Sequence, residues 1–302
     1  MASWPASRHV FDADQIDALR AAEAAGRPLL VRGDPGTGKS QLAHAAAFAA
    51  QRLFLPFVVD ARTEASDLMW RFDPVARLAD AHLASVPGSG VPTGLDAARY
   101  VHPGPLWWAF NWDNAAKHLD QARVRGVAPH SPPFAWTPQK GMVLLIDEID
   151  KAEAEVPNGL LEALGNGRFQ VPILGQVVER PKGVPPPLVI VTTNDERELP
   201  PAFLRRCLVL SLELPEGEPL RRFLVERGKL HFPALAENSP SVLEEAAGML
   251  AQDRADARSH GLYLPGLAEY LDLLRALTNL EVDPGQALAR LRVYTFRKQP
   301  IG

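Results

Sequence analysis

The most specific chemical signal in this 302-residue chain is a run of eight residues. Residues 33–40 read GDPGTGKS and match the pattern G-x-x-x-x-G-K-[ST] of a phosphate-binding loop. Glycines let backbone N–H groups converge on phosphate oxygens, and a helix that follows adds partial positive charge. We therefore expect Lys39 to contact the β- and γ-phosphates of a nucleotide, and the Ser40 hydroxyl to bind Mg²⁺.

The flanks of this loop have the character that the motif requires. Residues 28–31 are apolar and predict a short buried strand, and the Ala-rich residues 41–51 predict a helix. An ordinary glycine-rich turn is the alternative interpretation, and the complete motif with both flanks favours phosphate binding. The predicted nucleotide-binding residues of this stretch are Gly33, Asp34, Pro35, Gly36, Thr37, Gly38, Lys39, Ser40 and Gln41.

A second signal is an apolar run, residues 142–146, that ends in two carboxylates, Asp147 and Glu148. At the tip of a parallel strand, Asp147 would hold Mg²⁺ through water, and Glu148 would polarise an attacking water. The alternative is a buried strand with a solvated acidic end. The complete phosphate loop upstream favours the catalytic interpretation.

The elements that must position these residues predict an α/β fold. Strand and helix alternate, which is typical of a parallel sheet, and we predict a P-loop αβα sandwich with five parallel strands. A β-hairpin is expected within residues 167–180. The predicted strands are residues 28–31, 55–60, 142–148, 187–194 and 207–212.

The last third of the chain has a purely helical pattern. We therefore predict two domains, an αβα nucleotide-binding domain at residues 1–215 and a small all-helical lid domain at residues 216–302. In the predicted helix 266–280, the spacing of leucines favours burial of Leu267, Leu271, Leu274 and Leu277.

Residues 61–140 are less regular. Ser66 is expected to cap a short helix, residues 87–94 to form a loop, and residues 127–140 to form an exposed connection. The aromatic residues 106–110 are predicted to lie in the core rather than to form a binding surface. Helices are also expected at residues 11–26, 76–84, 113–125 and 152–164.

Composition limits the classes of function. The net charge of −4 gives no support to a generally basic, nucleic-acid-coating surface. Cys207 is the only cysteine, which favours a reducing compartment, and we expect a cytoplasmic protein. No run approaches the roughly 20 apolar residues that a membrane span requires. The eight histidines show no metal-ligand spacing.

Taken together, the motifs and their order resemble those of the AAA+ ATPases, and within them the MoxR branch of the helix-2-insert clade. The resemblance covers most of the chain. The phosphate loop and the acidic strand are shared by P-loop NTPases generally. The hairpin, the strand that ends in Asn194 and the arginine pair narrow the resemblance to AAA+. The segments that carry it are residues 33–40, 103–106, 145–150, 167–180, 193–194 and 204–206.

This resemblance implies further roles. Asn194 would orient the lytic water and read the γ-phosphate, and Arg206, with Arg205 as the adjacent candidate, would act as an arginine finger in a neighbouring subunit. Val10 and Phe11 lie where such proteins contact adenine. The lid departs from the family pattern, because residues 264–266 read Leu-Pro-Gly where an arginine is usual. Arg258 is a substitute candidate.

The resemblance implies an ATPase that uses ATP and Mg²⁺, forms a homo-oligomeric ring of six copies and remodels a protein client. MoxR-like ATPases often work with proteins that carry a von Willebrand A domain. Two alternatives remain open. One is a nucleic-acid-directed motor or loader, in which Trp107, Trp108 and Trp112 would stack on bases. The other is a nucleotide-dependent switch or scaffold with little turnover. No membrane partner is expected.

Overall fold

The computed structural model of the chain describes residues 8–85, 96–122, 124, 136–280 and 283–296. The chain divides into two compact units. The sheet unit consists of Asp12–Val31 and Ala43–Leu210, and the helical unit consists of Met1–Phe11, Arg32–Leu42 and Ser211–Gly302. The phosphate-loop motif belongs to the helical unit, and Asp147 and Glu148 belong to the sheet unit. The predicted domain boundary at residues 215 and 216 stays a prediction.

The sheet unit is built on the predicted five-stranded parallel sheet. Its strands are β1 (Leu29–Arg32), β2 (Leu53–Val58), β5 (Met142–Asp147), β8 (Leu188–Thr193) and β9 (Leu208–Ser211). Their order across the sheet is β2-β5-β8-β1-β9. Strand β5 pairs in parallel with β2 on one side and with β8 on the other. Its run of five apolar residues is therefore buried, as a strand covered on both faces requires.

The second predicted strand needs a correction. Strand β2 begins and ends two residues earlier than predicted, so Asp60 lies in a turn beyond the strand. There the Asp60 carboxylate accepts hydrogen bonds from the Arg62 N–H and from the Thr63 hydroxyl, and these bonds lower its pKa. Asp60 therefore stabilises a local turn.

Seven helices of the described residues precede Ser211. They are α1 (Ala13–Ala25), α2 (Lys39–Ala49), α3 (Pro74–Ala84), α4 (Pro105–Phe110), α5 (Trp112–Gln121), α6 (Glu155–Asn166) and α7 (Pro201–Leu204). All of them belong to the sheet unit, except for the first four residues of α2. Pro157 lies in the first turn of α6, where its missing N–H costs nothing. Ser66 does not cap a helix. It lies inside a 3₁₀ turn, Ala65–Leu68, which Glu64 precedes as the cap residue.

Two small antiparallel sheets complete this unit. The predicted hairpin is present as β6 (Arg168–Val171) and β7 (Gln176–Glu179). The other pair, β3 (Trp70–Phe72) and β4 (Val101–Pro103), was not predicted, because strands of three residues are too short to show alternation. The predicted loop at 87–94 and most of the predicted connection at 127–140 lie outside the described residues.

The aromatic residues of α4 lie in the core, as predicted. Trp107 is fully buried, and its indole N–H donates to Asn114 Oδ1 at 2.7 Å. Trp108 is also buried, and Trp112 packs between Trp108 and Trp136 with ring centroids 4.7 and 5.3 Å apart. Trp107 and Trp108 therefore have no exposed face on which bases could stack, and Trp112 is only partly exposed. The nucleic-acid alternative loses most of the support that these residues gave it.

The helical unit contains α8 (Gly217–His231), α9 (Pro233–Asn238), α10 (Pro240–Ser259), α11 (Leu267–Asn279) and α12 (Pro284–Thr295). Helix α9 was not predicted, since six residues give almost two turns and little periodicity. The buried face of α11 also differs from the prediction. It consists of Tyr270, Leu273, Leu274 and Leu277, whereas Leu267 and Leu271 are only partly buried.

The reason for this shift is a close contact between helices. The Tyr270 hydroxyl donates to the carbonyl oxygen of Leu243 on α10 at 3.2 Å. On α8, Gly228 faces the same hydroxyl, and a Cβ there would lie only 2.7 Å from it. Because the Tyr270 side chain contacts both α8 and α10, the buried face of α11 is centred on the side of the helix that carries Tyr270. Within the described part of the chain, no helix is both long and apolar enough to cross a bilayer.

Candidate nucleotide-binding site

The phosphate loop connects β1 to α2 through an unusual backbone. Gly33 and Gly38 have φ angles of 144° and 95°, values that side-chain-bearing residues rarely adopt. A Cβ on Gly33 would also collide with the carbonyl oxygen of Leu212. The backbone conformation of the loop therefore requires glycine at these two positions, whether or not a ligand is bound.

Lys39 holds the loop from within. The residue is 7% exposed, and its ammonium donates to the carbonyl oxygens of Gly33 at 2.7 Å and Asp34 at 2.9 Å. The Thr37 hydroxyl donates to the same Asp34 carbonyl at 2.9 Å. Helix α2 begins at Lys39, so Ser40 lies in its first turn. A helix N-terminus with a buried ammonium beside it is a favourable place for an anion such as phosphate.

The two carboxylates at the end of β5 share one hydroxyl group, which belongs to Thr192 of β8. The Thr192 hydroxyl donates to Asp147 Oδ1 at 2.5 Å and accepts from the Glu148 N–H at 2.9 Å. Thr192 is fully buried. Glu148 itself adopts a left-handed backbone conformation, with φ 61° and ψ 49°. Such a conformation in a glutamate costs free energy and often occurs where a side chain is directed for function.

The side chain of Glu148 is also held. Lys151, three residues later, donates from Nζ to Glu148 Oε2 at 2.5 Å. This hydrogen bond raises the pKa of the Lys151 ammonium. Both side chains remain partly exposed, so the pair directs the carboxylate without sealing it from water.

The loop that follows β8 is organised by a third carboxylate. Asp150 is almost fully buried, and its Oδ2 atom accepts from the backbone N–H groups of Asn194 at 3.2 Å and Glu196 at 3.0 Å. Asn194 is half-buried. Asp150 therefore fixes the backbone that carries Asn194, although the two residues are 44 positions apart.

The residues predicted to hold Mg²⁺ supply only oxygen atoms. They are the Ser40 hydroxyl and the Asp147 carboxylate, and oxygen is the ligand type that Mg²⁺ prefers. Asp147 is half-buried and fixed by Thr192, as an ordered ligand should be. These donors therefore fit the ion. Among the described residues, no group of three or more His, Cys, Asp and Glu side chains is arranged to hold a metal.

Comparison with known proteins identifies the family. A profile described as "AAA domain (dynein-related subfamily)" matches residues 28–207, which is more than half of the chain. The chain belongs to this AAA family. The match includes the phosphate loop, both carboxylates, Asn194 and the two arginines, and it ends before the helices α8–α12 begin.

Among solved structures, the AAA chain is similar to one titled "crystal structure of a putative ATPase from Cytophaga hutchinsonii". The sequences are 15% identical, the match covers 91% of this chain and 74% of that chain, and the TM-score is 0.39. No curated protein matches the sequence.

The remaining predicted residues of the AAA chain lie in different places. Arg205 and Arg206 follow α7 and are both exposed. Neither guanidinium makes an ion pair with another described residue. Val10 is exposed, and its carbonyl oxygen accepts from Arg227 of α8 at 3.3 Å. Phe11 is half-buried and packs edge-to-face against His9 at 4.6 Å. These four assignments stay predictions.

The start of α11 lies against the phosphate loop, within the helical unit. The Ala268 N–H donates to the Gly36 carbonyl at 3.1 Å. A Cβ on Gly266 would lie 3.2 Å from the Pro35 carbonyl oxygen, which is a tight contact. The backbones of the phosphate loop and of the start of α11 therefore approach closely at the place where the family pattern predicts an arginine.

Arg258, the substitute candidate, instead pairs with Glu216. The arginine of α10 that does contact the phosphate loop is Arg254, whose Nη2 atom donates to Asp34 Oδ2 at 2.6 Å. Sequence reasoning missed Arg254, Thr192, Asp150 and Lys151. For Thr192 the available signal was a polar residue at the end of a buried apolar strand, and for Asp150 it was a carboxylate three residues after Asp147.

Proposed function

We propose that this AAA chain binds ATP with Mg²⁺ and hydrolyses it to ADP and phosphate. The observation that carries the proposal is the order of strands in the sheet. Strand β5 ends in Asp147, and β1 leads into the phosphate loop. Both strands flank β8 in one parallel sheet. The carboxyl ends of parallel strands lie at the same edge, where α/β sheets place their ligands.

In this proposal each residue has one task. Lys39 binds the β- and γ-phosphates, and Ser40 and Asp147 hold Mg²⁺, which would neutralise phosphate charge. Glu148, fixed by its backbone and by Lys151, accepts the proton of the attacking water. Asn194 orients that water. Catalysis then comes from positioning and from neutralised charge, as in other phosphoryl transfers.

The test separates binding from turnover. Lys39→Ala should lose ATP binding almost entirely, because it removes the charge that meets the phosphates. Glu148→Gln should bind ATP and lose turnover, since the amide keeps the shape and removes the base. Calorimetry gives the affinities, and phosphate release gives the rate. Unchanged affinity in Lys39→Ala would refute the role of the loop, and wild-type turnover in Glu148→Gln would place the base elsewhere.

We further propose that the chain is MoxR-like, forms a homo-oligomeric ring, with six copies as the expected number, and remodels a protein client such as one with a von Willebrand A domain. AAA proteins commonly assemble into rings. The exposure of Arg205 and Arg206 supports this proposal, because an arginine finger must be free to enter a neighbouring subunit. A cytoplasmic location belongs to the same proposal, and the single, buried Cys207 is compatible with it.

A mixing experiment tests the arginine finger. Arg206→Ala should bind ATP without hydrolysing it, and Lys39→Ala should not bind it. In a mixed ring, an intact phosphate loop of the first variant can face an intact arginine of the second. We expect activity to return in part and to fall on dilution. No rescue in rings shown to be mixed would refute the role between subunits, and full activity of Arg206→Ala alone would transfer it to Arg205.

A further inference from the structure

Arg254 is a buried cation with an unusual partner. It lies in the last two turns of α10 and is 4% exposed. Its Nη2 atom donates to Asp34 Oδ2 at 2.6 Å, and its Nη1 atom donates to the carbonyl oxygen of Pro265 at 3.0 Å. A buried guanidinium is retained only where its charge is compensated. Here the compensating charge is a residue of the phosphate loop.

The neighbouring residue on α10 provides an internal comparison. Asp253 is almost fully buried and accepts two hydrogen bonds from Arg292 of α12, at 2.6 Å from Nε and 2.6 Å from Nη2. This second ion pair ties α10 to another helix of the same unit. The same helix therefore carries one buried ion pair that involves the phosphate loop and one that does not.

The charge of Asp34 is unfavourable for an anion-binding loop. Its side chain is 44% exposed, and it follows directly after Gly33 in the motif. A second carboxylate, Glu269, lies close to the same loop, since a Cβ on Gly36 would lie 3.1 Å from Glu269 Oε2. Glu269 accepts hydrogen bonds from the Gly266 N–H and from the Tyr263 hydroxyl. Without a cation beside Asp34, these carboxylates would repel the phosphates of a nucleotide and oppose the attraction of Lys39.

We propose that Arg254 neutralises Asp34 and thereby sets the affinity of the phosphate loop for nucleotide. Arg254 is a positioning residue that acts through Asp34 and does not itself contact the phosphates. The proposal rests on the proposed function, because it concerns the same nucleotide. It also gives α10 a direct contact with the phosphate loop. The start of α11, where the family pattern predicts an arginine, has none.

Four proteins form a series in the charge of this pair. The wild type and the double variant Arg254→Met, Asp34→Asn are neutral. Arg254→Met alone carries one negative charge, and Asp34→Asn alone carries one positive charge. If Arg254 only stabilised the fold, the ATP affinity of each variant would follow the stability of that variant and not the charge of the pair. The double variant would then bind ATP no better than Arg254→Met.

The test is calorimetric titration of each full-length variant with ATP and Mg²⁺ at low salt. We expect Arg254→Met to bind on the order of tenfold more weakly, and Asp34→Asn to bind several-fold more tightly. The double variant should return toward the wild type. All differences should shrink as salt is added, because salt screens a partly exposed charge. The control is Arg292→Met, which should lower the melting temperature and leave ATP affinity unchanged.

Several results would overturn the proposal. They are equal affinity of Arg254→Met and the wild type, weaker binding by Asp34→Asn, or a double variant as weak as Arg254→Met. If Arg254→Met does not fold, Asp34→Asn alone still decides, because its side chain is 44% exposed and the amide oxygen of asparagine can still accept the hydrogen bond from Arg254. Failure of the wild type to bind ATP would instead refute the proposed function, and this inference with it.

Discussion

The phosphate loop and the carboxylate cluster hold their functional groups in different ways. In the loop, Lys39 is bound by two backbone carbonyls, five and six residues away. In the cluster, Asp147 is bound by the side chain of Thr192, 45 residues away on another strand. The loop therefore depends on local backbone geometry, whereas the cluster depends on the correct pairing of β5 with β8.

The two regions also differ in how many hydrogen bonds depend on a single side-chain hydroxyl. The Asp34 carbonyl in the loop accepts from both Thr37 and Lys39. In the cluster, the single hydroxyl of Thr192 serves both Asp147 and the backbone of Glu148. Loss of one hydroxyl should consequently matter more in the cluster than in the loop. Two substitutions of the same kind, Thr to Val, test this difference.

The larger effect is expected for Thr192→Val. Valine keeps the shape of the side chain but removes both hydrogen bonds, so Asp147 and Glu148 lose a shared anchor. Misplacement of a reacting group by about 1 Å can cost on the order of a hundredfold in rate. We expect turnover at saturating ATP to fall by about tenfold to a hundredfold, with ATP affinity within about threefold of the wild type. Phosphate release and calorimetry measure the two quantities.

Two controls make this prediction specific. Thr192→Ser keeps the hydroxyl and should keep most of the turnover. Thr193→Val removes a neighbouring buried hydroxyl, which accepts from the Asp195 N–H at 2.9 Å but does not bind Asp147. Its effect on turnover should be smaller than that of Thr192→Val. Equal losses of turnover in Thr192→Val and Thr193→Val would mean that turnover depends on the stability of β8 and not on the hydrogen bonds of the Thr192 hydroxyl.

The same difference explains what could be predicted from the sequence. The phosphate loop is contiguous, its glycines are required by the backbone, and its flanks are short apolar and helical runs. The five strands were predicted because each is a near-continuous apolar run, as parallel strands are. Local patterns therefore predicted the fold class, and the motifs in their order carried the resemblance that indicated the AAA family.

Contacts between distant segments could not be predicted in this way. Thr192 and Asp150 act on residues 44 to 46 positions away, and no local pattern records such a contact. Arg254 is 220 positions from Asp34. The resemblance to the family left Arg258, one turn further along α10, as the substitute candidate, but Arg258 pairs with Glu216. The error in the buried face of α11 has the same origin, because Tyr270 is drawn inward by a carbonyl on α10.

The smaller effect is expected for Thr37→Val in the phosphate loop. This change removes the hydrogen bond from the Thr37 hydroxyl to the Asp34 carbonyl, but that carbonyl keeps the ammonium of Lys39 at 2.9 Å. A hydrogen bond whose acceptor retains a partner contributes about 1 kcal/mol, which corresponds to about fivefold in affinity. We expect ATP affinity to fall by about this factor and turnover at saturating ATP to stay near the wild type. Thr37→Ser should bind as the wild type does. A loss of a hundredfold in Thr37→Val would show that the loop, like the cluster, depends on a single side chain, and the contrast between the two regions would be wrong.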